Sequence, residues 1–413
     1  MLTAIVNARI FDGEQVLSEQ TLVLEDGFIV SVGGAVPANA SASIIDAGGA
    51  TLLPGLIDAH THTAPPLLRQ ALLFGVTTEL EMGGPKSASL RRLVAESDDM
   101  ADLRWAGFGV TPPLGHPHEL LVLIEDVFPP GVVEPSASTP DEARALVADN
   151  VRQGVDYIKI MIEEGTVMNH PGLPMLDNDT LLAAVQAAHD HGKLAIAHIH
   201  TAQAARQAID AGMDGLAHVY IDQPPVAELI CAVAASGAFV VPTLTLIATM
   251  MGNAGRTGNT GSRLAEDERV TSKLAAPWID SLNTPMNTYT QGHFDDVLAV
   301  VGALHQAGVD ILAGTDVSYP VSHLGGMAHG ASLHHELQLL VAAGLTPTEA
   351  LRSATSTPAR RFNLNDRGRI APGRRADLLL VDGDPTTTIS DSLSIREVWR
   401  RGVRLTPQGA PPR

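Results

Sequence analysis

The chain of 413 residues contains one cysteine, Cys231. It can therefore carry neither an internal disulfide framework nor a zinc site built on thiolates, and such sparing use of cysteine suits a reducing cytoplasm. Basic residues are also scarce: 27 Lys and Arg against 46 Asp and Glu leave a formal net charge of −19. Phosphate binding needs a basic face, so this balance argues against nucleic acid as a partner, and against anchoring to anionic lipid. The acidic surplus reads as colloidal solubility. No uninterrupted apolar stretch approaches the roughly eighteen residues of a membrane span. The N-terminal MLTAIVNARIFDG lacks the basic start, long apolar centre and small-residue cleavage site of a signal peptide, and reads as a first β-strand. An early glycine-rich phosphate loop is missing too, which counts against a doubly wound open sheet.

What the sequence does contain is an ordinary globular composition and enough length for one barrel with a modest accessory domain. Short apolar runs recur at GLIDAHTH, GVTTELEM, LRWAGFGV, YIKIMIE, LAIAHIH, GLAHVY, FVVPTLT and DILAGTD. Most are followed by helical patterns such as DEARALVADNVRQG, DTLLAAVQAAHDHG and TAQAARQAIDAG. About eight strand–helix units in succession predict an α/β fold, the closed (β/α)₈ TIM barrel. Both chain ends are instead rich in short strands bounded by Gly and Asp. Residues 1–54 and 364–413 are therefore expected to pair as a composite β-sandwich domain, with the catalytic barrel over 55–363. Two segments exceed ordinary loop lengths, 111–140 and 246–291, and both follow predicted strands. They are expected on the catalytic face, either as lids or specificity loops or as insertions without a role.

Barrel enzymes place their chemistry at the C-terminal ends of the strands. The first predicted barrel strand ends in His60-Thr61-His62, and residues two apart in a strand face the same side. The fourth carries Lys159 inside an apolar run, the fifth ends in His198-Ile199-His200, the sixth carries His218, and the eighth ends in Gly314-Thr315-Asp316. Singly, each has an ordinary explanation: a satisfied polar histidine, an edge lysine, an aspartate capping the next helix. Together they place nitrogen and oxygen donors where a closed barrel brings them to one point. Without thiolates the set suits Zn²⁺ first, with Mn²⁺, Co²⁺ or Fe²⁺ also compatible. Burial would favour the neutral amine of Lys159. Such an amine can take up CO₂ as a carbamate that bridges two metals.

LLPGLIDAHTH, YIKIM, AHIHTAQAARQAIDAGMDGLAHV, ILAGTD, ELQLLVAAGLTPTEALRSATSTPAR and GRIAPGRRADLLLVDGDP together resemble the amidohydrolase superfamily. More narrowly they resemble its imidazolonepropionase-like and prolidase-like branch, which includes metal-dependent carboxypeptidases and ochratoxin amidase. The resemblance covers nearly the whole chain, in order. It implies the composite β-domain, the barrel and two divalent metal ions bridged by carbamylated Lys159. His60, His62 and Asp316 would bind the more buried ion, and His198 and His218 the second. In this branch the position two after the fifth-strand ligand is often Tyr or His and is held to polarise the substrate carbonyl; here it is His200. His200 could instead be the ligand in place of His198, but the distance from His198 to His218 matches the branch pattern. The implied reaction is attack on a carbonyl by water activated between two cations, with Asp316 accepting the proton and passing it to the leaving nitrogen.

Two places depart from the branch. Ile162-Glu163-Glu164-Gly165 replaces a Ser/Gly-rich stretch, and Glu79-Leu80-Glu81 replaces an Arg-Asp pair. Their carboxylates either give the pocket a preference for a cationic substrate group or point away and pair with Arg or Lys, the second being the simpler reading. His329, Tyr220 and His116 are candidate substrate contacts, with His118 and His170 as further loop histidines. His334 and His335 read as structural. The resulting expectation is a binuclear, metal-dependent hydrolase of an amide C–N bond in a small molecule: a dipeptide, an N-acyl amino acid or a related amide. Alternatives on the same site are an ester, lactone, urea, cyclic amidine or phosphotriester. A non-catalytic barrel used for binding or assembly is the remote alternative. Family habit suggests a homo-oligomer.

Overall fold

The N-terminal run AIVNARIF, which reads as one strand, is broken at Asn7. That residue takes a left-handed φ of 56° and holds Asp46 through its side chain. The break sends β1 (Leu2–Val6) and β2 (Arg9–Ile10) into different sheets. The other N-terminal strands are β3 (Leu22–Glu25), β4 (Phe28–Val32), β5 (Ser43–Asp46) and β6 (Thr51–Pro54). The barrel supplies β7 (Leu56–Thr61), β8 (Val76–Glu81), β9 (Asp102–Trp105), β10 (Ile158–Met161), β11 (Ala195–His198), β12 (Gly215–Ala217) and β13 (Phe239–Val241). The C-terminal strands are β14 (Leu378–Val381), β15 (Ile395–Arg400) and β16 (Val403–Arg404). This computed structural model describes residues 2–34, 43–121, 134–252, 260–321 and 324–405.

Strands from the two chain ends share one sheet in the order β16-β15-β14-β6-β2, and it packs with the sheet β4-β3-β1-β5. Between them lies an apolar core that includes Ile5, Leu24, Ile29, Leu52, Leu378, Leu380 and Trp399. The sandwich is therefore composite, joined across the length of the chain. Asp102 on β9 ties it to the barrel, because its carboxylate takes ion pairs from Arg367, Arg375 and Arg400. Burial would raise the Asp102 pKa, but these guanidiniums and Arg104 hold it far below the usual range.

In the barrel, β7, β8 and β9 form one parallel set and β10 to β13 another. Val110 bridges to Ile160 between them. The eighth segment, DILAGTD, closes the ring: Ile311 bridges to Val240, Val317 to Thr61, and His60 O accepts the Asp316 N–H at 2.8 Å. Gly314 permits that approach. A Cβ there would lie 2.4 Å from Val241 Cγ1 and 2.9 Å from the His60 backbone nitrogen. The lumen is filled by residues including Ile57, Leu80, Tyr157, Ile196, Phe239 and Leu312. The outer helices begin where capping chemistry predicts. Thr139, Asp177 and Thr201 cap Pro140–Arg152, Asn178–Asp190 and Ala202–Asp210, each accepting an N–H from the first turn.

The long segment 246–291 is not an open loop. It is largely helical, with Leu244–Met250, Thr260–Glu266, Glu268–Thr271 and Ala276–Leu282. The glycines and asparagines of GNAGRTGNTGS suggested a loop, but they occupy mainly 253–259, which lie outside the described residues. Of the 111–140 segment, residues 122–133 also lie outside them. No described helix is long and apolar enough to cross a membrane.

Candidate metal centre

Alternation along β7 puts Asp58, His60 and His62 on one side of the strand. Asp58, the deepest, locks the first strand to the eighth segment: its carboxylate accepts from Thr315 N at 3.0 Å and Thr315 Oγ1 at 2.7 Å. Burial, reinforced by nearby Glu79, pushes the Asp58 pKa well up. Above it, three imidazoles converge on Asp316. His60 Nε2 and His62 Nε2 lie 3.2 and 3.0 Å from Oδ1, and His218 Nε2 lies 3.8 Å from Oδ2. A second group adjoins the first through His218, whose Nε2 is 3.1 Å from His198 Nδ1. The His200 ring stacks on that of His218 with centroids 4.5 Å apart and meets His198 edge-on at 4.7 Å.

The backbone pays for this convergence. His218, Thr243 and Asp316 have φ values of 71°, 49° and 57°, a left-handed conformation that side chains seldom adopt. Thr243 Oγ1 lies 2.7 Å from His218 Nδ1 and so orients that ring. Thr243 is in turn followed by two backbone N–H groups, of Leu244 and Thr245, that donate to the buried carboxylate of Glu336.

The protonation states favour ligands. Burial lowers the pKa of His60 to about 4, despite Asp316, and holds His198 and His218 well below the usual histidine range. All three are thus neutral imidazoles at neutral pH. Burial would also raise the Asp316 pKa, but His60 and His62 hold it well below the usual range. His62 is the exception: burial opposes its charging, yet Asp316 on one side and Glu81 on the other push its pKa up to about 9. Lys159 lies at the base of the cluster, 1% exposed, and burial brings its pKa down to about 7 against the pull of Asp316.

Among the described residues, two sets of donors could hold a metal ion: His60, His218 and Asp316, and His198, His200 and His218. In each set the ligand atoms lie within 4.8 Å of one another. The fit to a cation is supported by what these groups lack. Among the described residues, His60 Nδ1, His200 Nε2 and Lys159 Nζ are buried without a hydrogen-bond partner, and Asp316 Oδ1 faces two imidazole nitrogens. Burying one such atom is costly, and three in one cluster leave an unmet demand that a divalent ion would meet.

The remaining expected contacts fall in different places. His116 stacks against His198 with centroids 4.4 Å apart and holds Glu119 at 2.6 Å. Tyr220 is buried, with its hydroxyl accepting the Val226 N–H. His329 is fully buried, its Nδ1 2.9 Å from Glu79 Oε1. His170 is exposed, and His118 Nδ1 faces Gly115 O. The carboxylates of the two departures are committed within the protein. Glu79 meets His329, Glu81 meets His62, Lys86 and the Thr63 N–H, and Glu164 meets Thr166. Glu163 lies between His198 and His200. That last arrangement had no signal in the sequence. Neither did Thr243, since both depend on contacts between strands far apart in the chain.

Residues 51–405 match the model of the amidohydrolase family. An imidazolonepropionase from Deinococcus deserti is 26% identical over 421 aligned positions, covering 94% of this chain and 92% of that protein. An adenine deaminase from Methanoregula boonei is 42% identical over 89 residues, a local match to 22% of this chain and 15% of the deaminase. Among solved structures, an amidohydrolase superposes with a TM-score of 0.74 at 25% identity, covering 99% of this chain and all of the other. A Xaa-Pro dipeptidase with methionine in its active site superposes with a TM-score of 0.74 at 24% identity, covering 98% and 100% of the two chains. The match runs from the strand before the first histidine pair to the last strand of the composite sandwich. The chain therefore belongs to the amidohydrolase family.

Proposed function

We propose that this protein is a binuclear metal-dependent hydrolase that cleaves an amide C–N bond in a small molecule, a dipeptide, an N-acyl amino acid or a related amide. The observation that carries this reading is the set of buried, unpartnered donor atoms gathered at the mouth of the barrel. His60, His62 and Asp316 would hold one ion and His198 and His218 the other. Lys159 would bridge them as a carbamate: its neutral Nζ adds to CO₂, forms an N–C bond and releases one proton to solvent. The depressed Lys159 pKa supports this, since the free amine is then populated near neutrality. When bound, the ions supply Lewis acidity and bring the pKa of a coordinated water toward neutrality.

The chain's own groups do the rest. Asp316, a carboxylate held ionised between two histidines, accepts a proton at its carboxylate oxygen and returns it to the leaving nitrogen. Glu81 fixes the orientation of His62 from its far side, as Thr243 fixes that of His218. The choice of an amide rests on the motifs shared with the prolidase-like branch. An ester, lactone, urea, cyclic amidine or phosphotriester presents the same kind of electrophile to this centre.

The test is to load the protein with Zn²⁺ or Mn²⁺ in bicarbonate, measure metal stoichiometry, and screen dipeptides and N-acyl amino acids for released amine. Two ions per chain and amine release are expected. Fully metallated protein that releases no amine would redirect the search to the other electrophiles. Lys159→Ala is expected to lose the bridge; a variant with full activity and two ions would sink the carbamate.

A further inference from the structure

Glu163 is buried to 1% side-chain exposure, and both of its carboxylate oxygens accept from within the protein. Its Oε1 takes the Gly165 N–H at 2.7 Å. Its Oε2 is shared by two imidazoles, His198 Nε2 at 3.2 Å and His200 Nδ1 at 2.8 Å. A carboxylate only accepts, so each histidine must turn an N–H toward it. The other nitrogen of a neutral ring is then a bare lone pair. For His198 the bare atom is Nδ1, which faces His218 Nε2 at 3.1 Å. For His200 it is Nε2, a buried atom with no partner anywhere among the described residues. One ring nitrogen from each of His198, His200 and His218 lies within 4.8 Å of the other two.

We infer that Glu163 is a positioning residue that sets the tautomers of His198 and His200, and that His200 Nε2 is thereby presented to the second ion as a third nitrogen ligand. This rests on the two-ion reading above. It differs from the role that the sequence resemblance implies for His200. Polarising a substrate carbonyl calls for an N–H aimed at the oxygen, and in a neutral His200 the only N–H is spent on Glu163. A bare, buried nitrogen beside two other imidazoles is suited to be a ligand atom, and a carboxylate behind a ligating histidine is the usual device for fixing its orientation and basicity.

The experiment is a titration of the metal-free protein with Zn²⁺, resolving the two affinities by competition with a chromophoric chelator. The variants are Glu163→Gln and His200→Phe. A glutamine can turn its NH₂ toward His200 Nδ1, which moves the ring proton to Nε2 and blocks it. Both variants are expected to weaken the second Zn²⁺ about 10- to 100-fold. The first Zn²⁺, held by His60, His62 and Asp316, should keep its affinity and so serve as the internal measure of folding. Two ions bound at the original affinities, with turnover alone lost, would overturn the inference and return His200 to the substrate carbonyl. Equal weakening of both ions would overturn it too, by making Glu163 a general structural prop. A wild-type protein that binds fewer than two ions would instead remove the two-ion reading itself.

Discussion

His60 and His62 on β7 and His198 and His200 at the end of β11 are the same pattern, two imidazoles separated by one residue at the top of a barrel strand. Their partners are opposite in kind. Both Nε2 atoms of the first pair point at Asp316, which is itself a candidate ligand for a cation. The second pair is gripped from behind by Glu163, whose Oε2 faces both rings while its Oε1 takes the Gly165 N–H. The first carboxylate stands among the candidate ligands and the second stands behind them. Identical spacing therefore gives two different chemical settings, and the difference comes from acids that lie 35 or more residues away in the chain.

Asp316→Ala should separate the pairs most sharply. Removing the shared carboxylate takes away both a proposed ligand and the proposed proton acceptor, and hydrolysis is expected to fall by about 10³-fold or more. Retention of a tenth of the activity would mean that Asp316 is not the proton carrier. Glu81→Gln tests whether the first pair also depends on a carboxylate behind it, since Glu81 Oε1 lies 3.3 Å from His62 Nδ1. Zn²⁺ at the first position should weaken by about 10-fold, while the second is unchanged; chelator competition reads both. No change at the first position would confine that dependence to the second pair.

The smallest effect concerns a third pair, His334 and His335, adjacent on the helix Ala331–Ala342, where no carboxylate offsets burial. Burial brings both down to about 4. Their folded pKa lies below the ordinary 6.5, so the stability they contribute is present above about pH 6.5 and is lost as pH falls through about 4. A shift of that size is worth about 3 kcal/mol per histidine at the acid limit. His335→Leu should flatten the decline of the thermal midpoint between pH 7 and 4.5 relative to wild type. A variant that loses stability as steeply as wild type would show that His335 does not carry it.

Much of this was legible in the sequence because it is local. The period of two in DAHTH puts both imidazoles on one side, and Lys159 inside YIKIM is conspicuous against its apolar neighbours. The eighth strand was readable from ILAGTD although it closes the barrel through single bridges rather than a ladder. Glu163 was visible only as a departure from expectation. Its meaning lies in how the turn after β10 folds back toward the end of β11, which no spacing along the chain reveals. Asn7 was hidden for a similar reason. Nothing in AIVNARIF marks the residue at which alternation stops, because the cause is a left-handed backbone anchored by Asp46. The helices after Leu244 were obscured by the glycines that follow them.

The left-handed residues at the barrel mouth carry a consequence for how such a chain can change. His218, Thr243 and Asp316 each hold a backbone shape that glycine would adopt freely, at a cost of about 1–3 kcal/mol apiece. Glycine would release that strain, yet it would also remove largely buried side chains with their hydrogen bonds and ion pairs and leave cavities behind. The strained backbone and the side chains of the candidate centre are thus tied together, and neither can be altered alone.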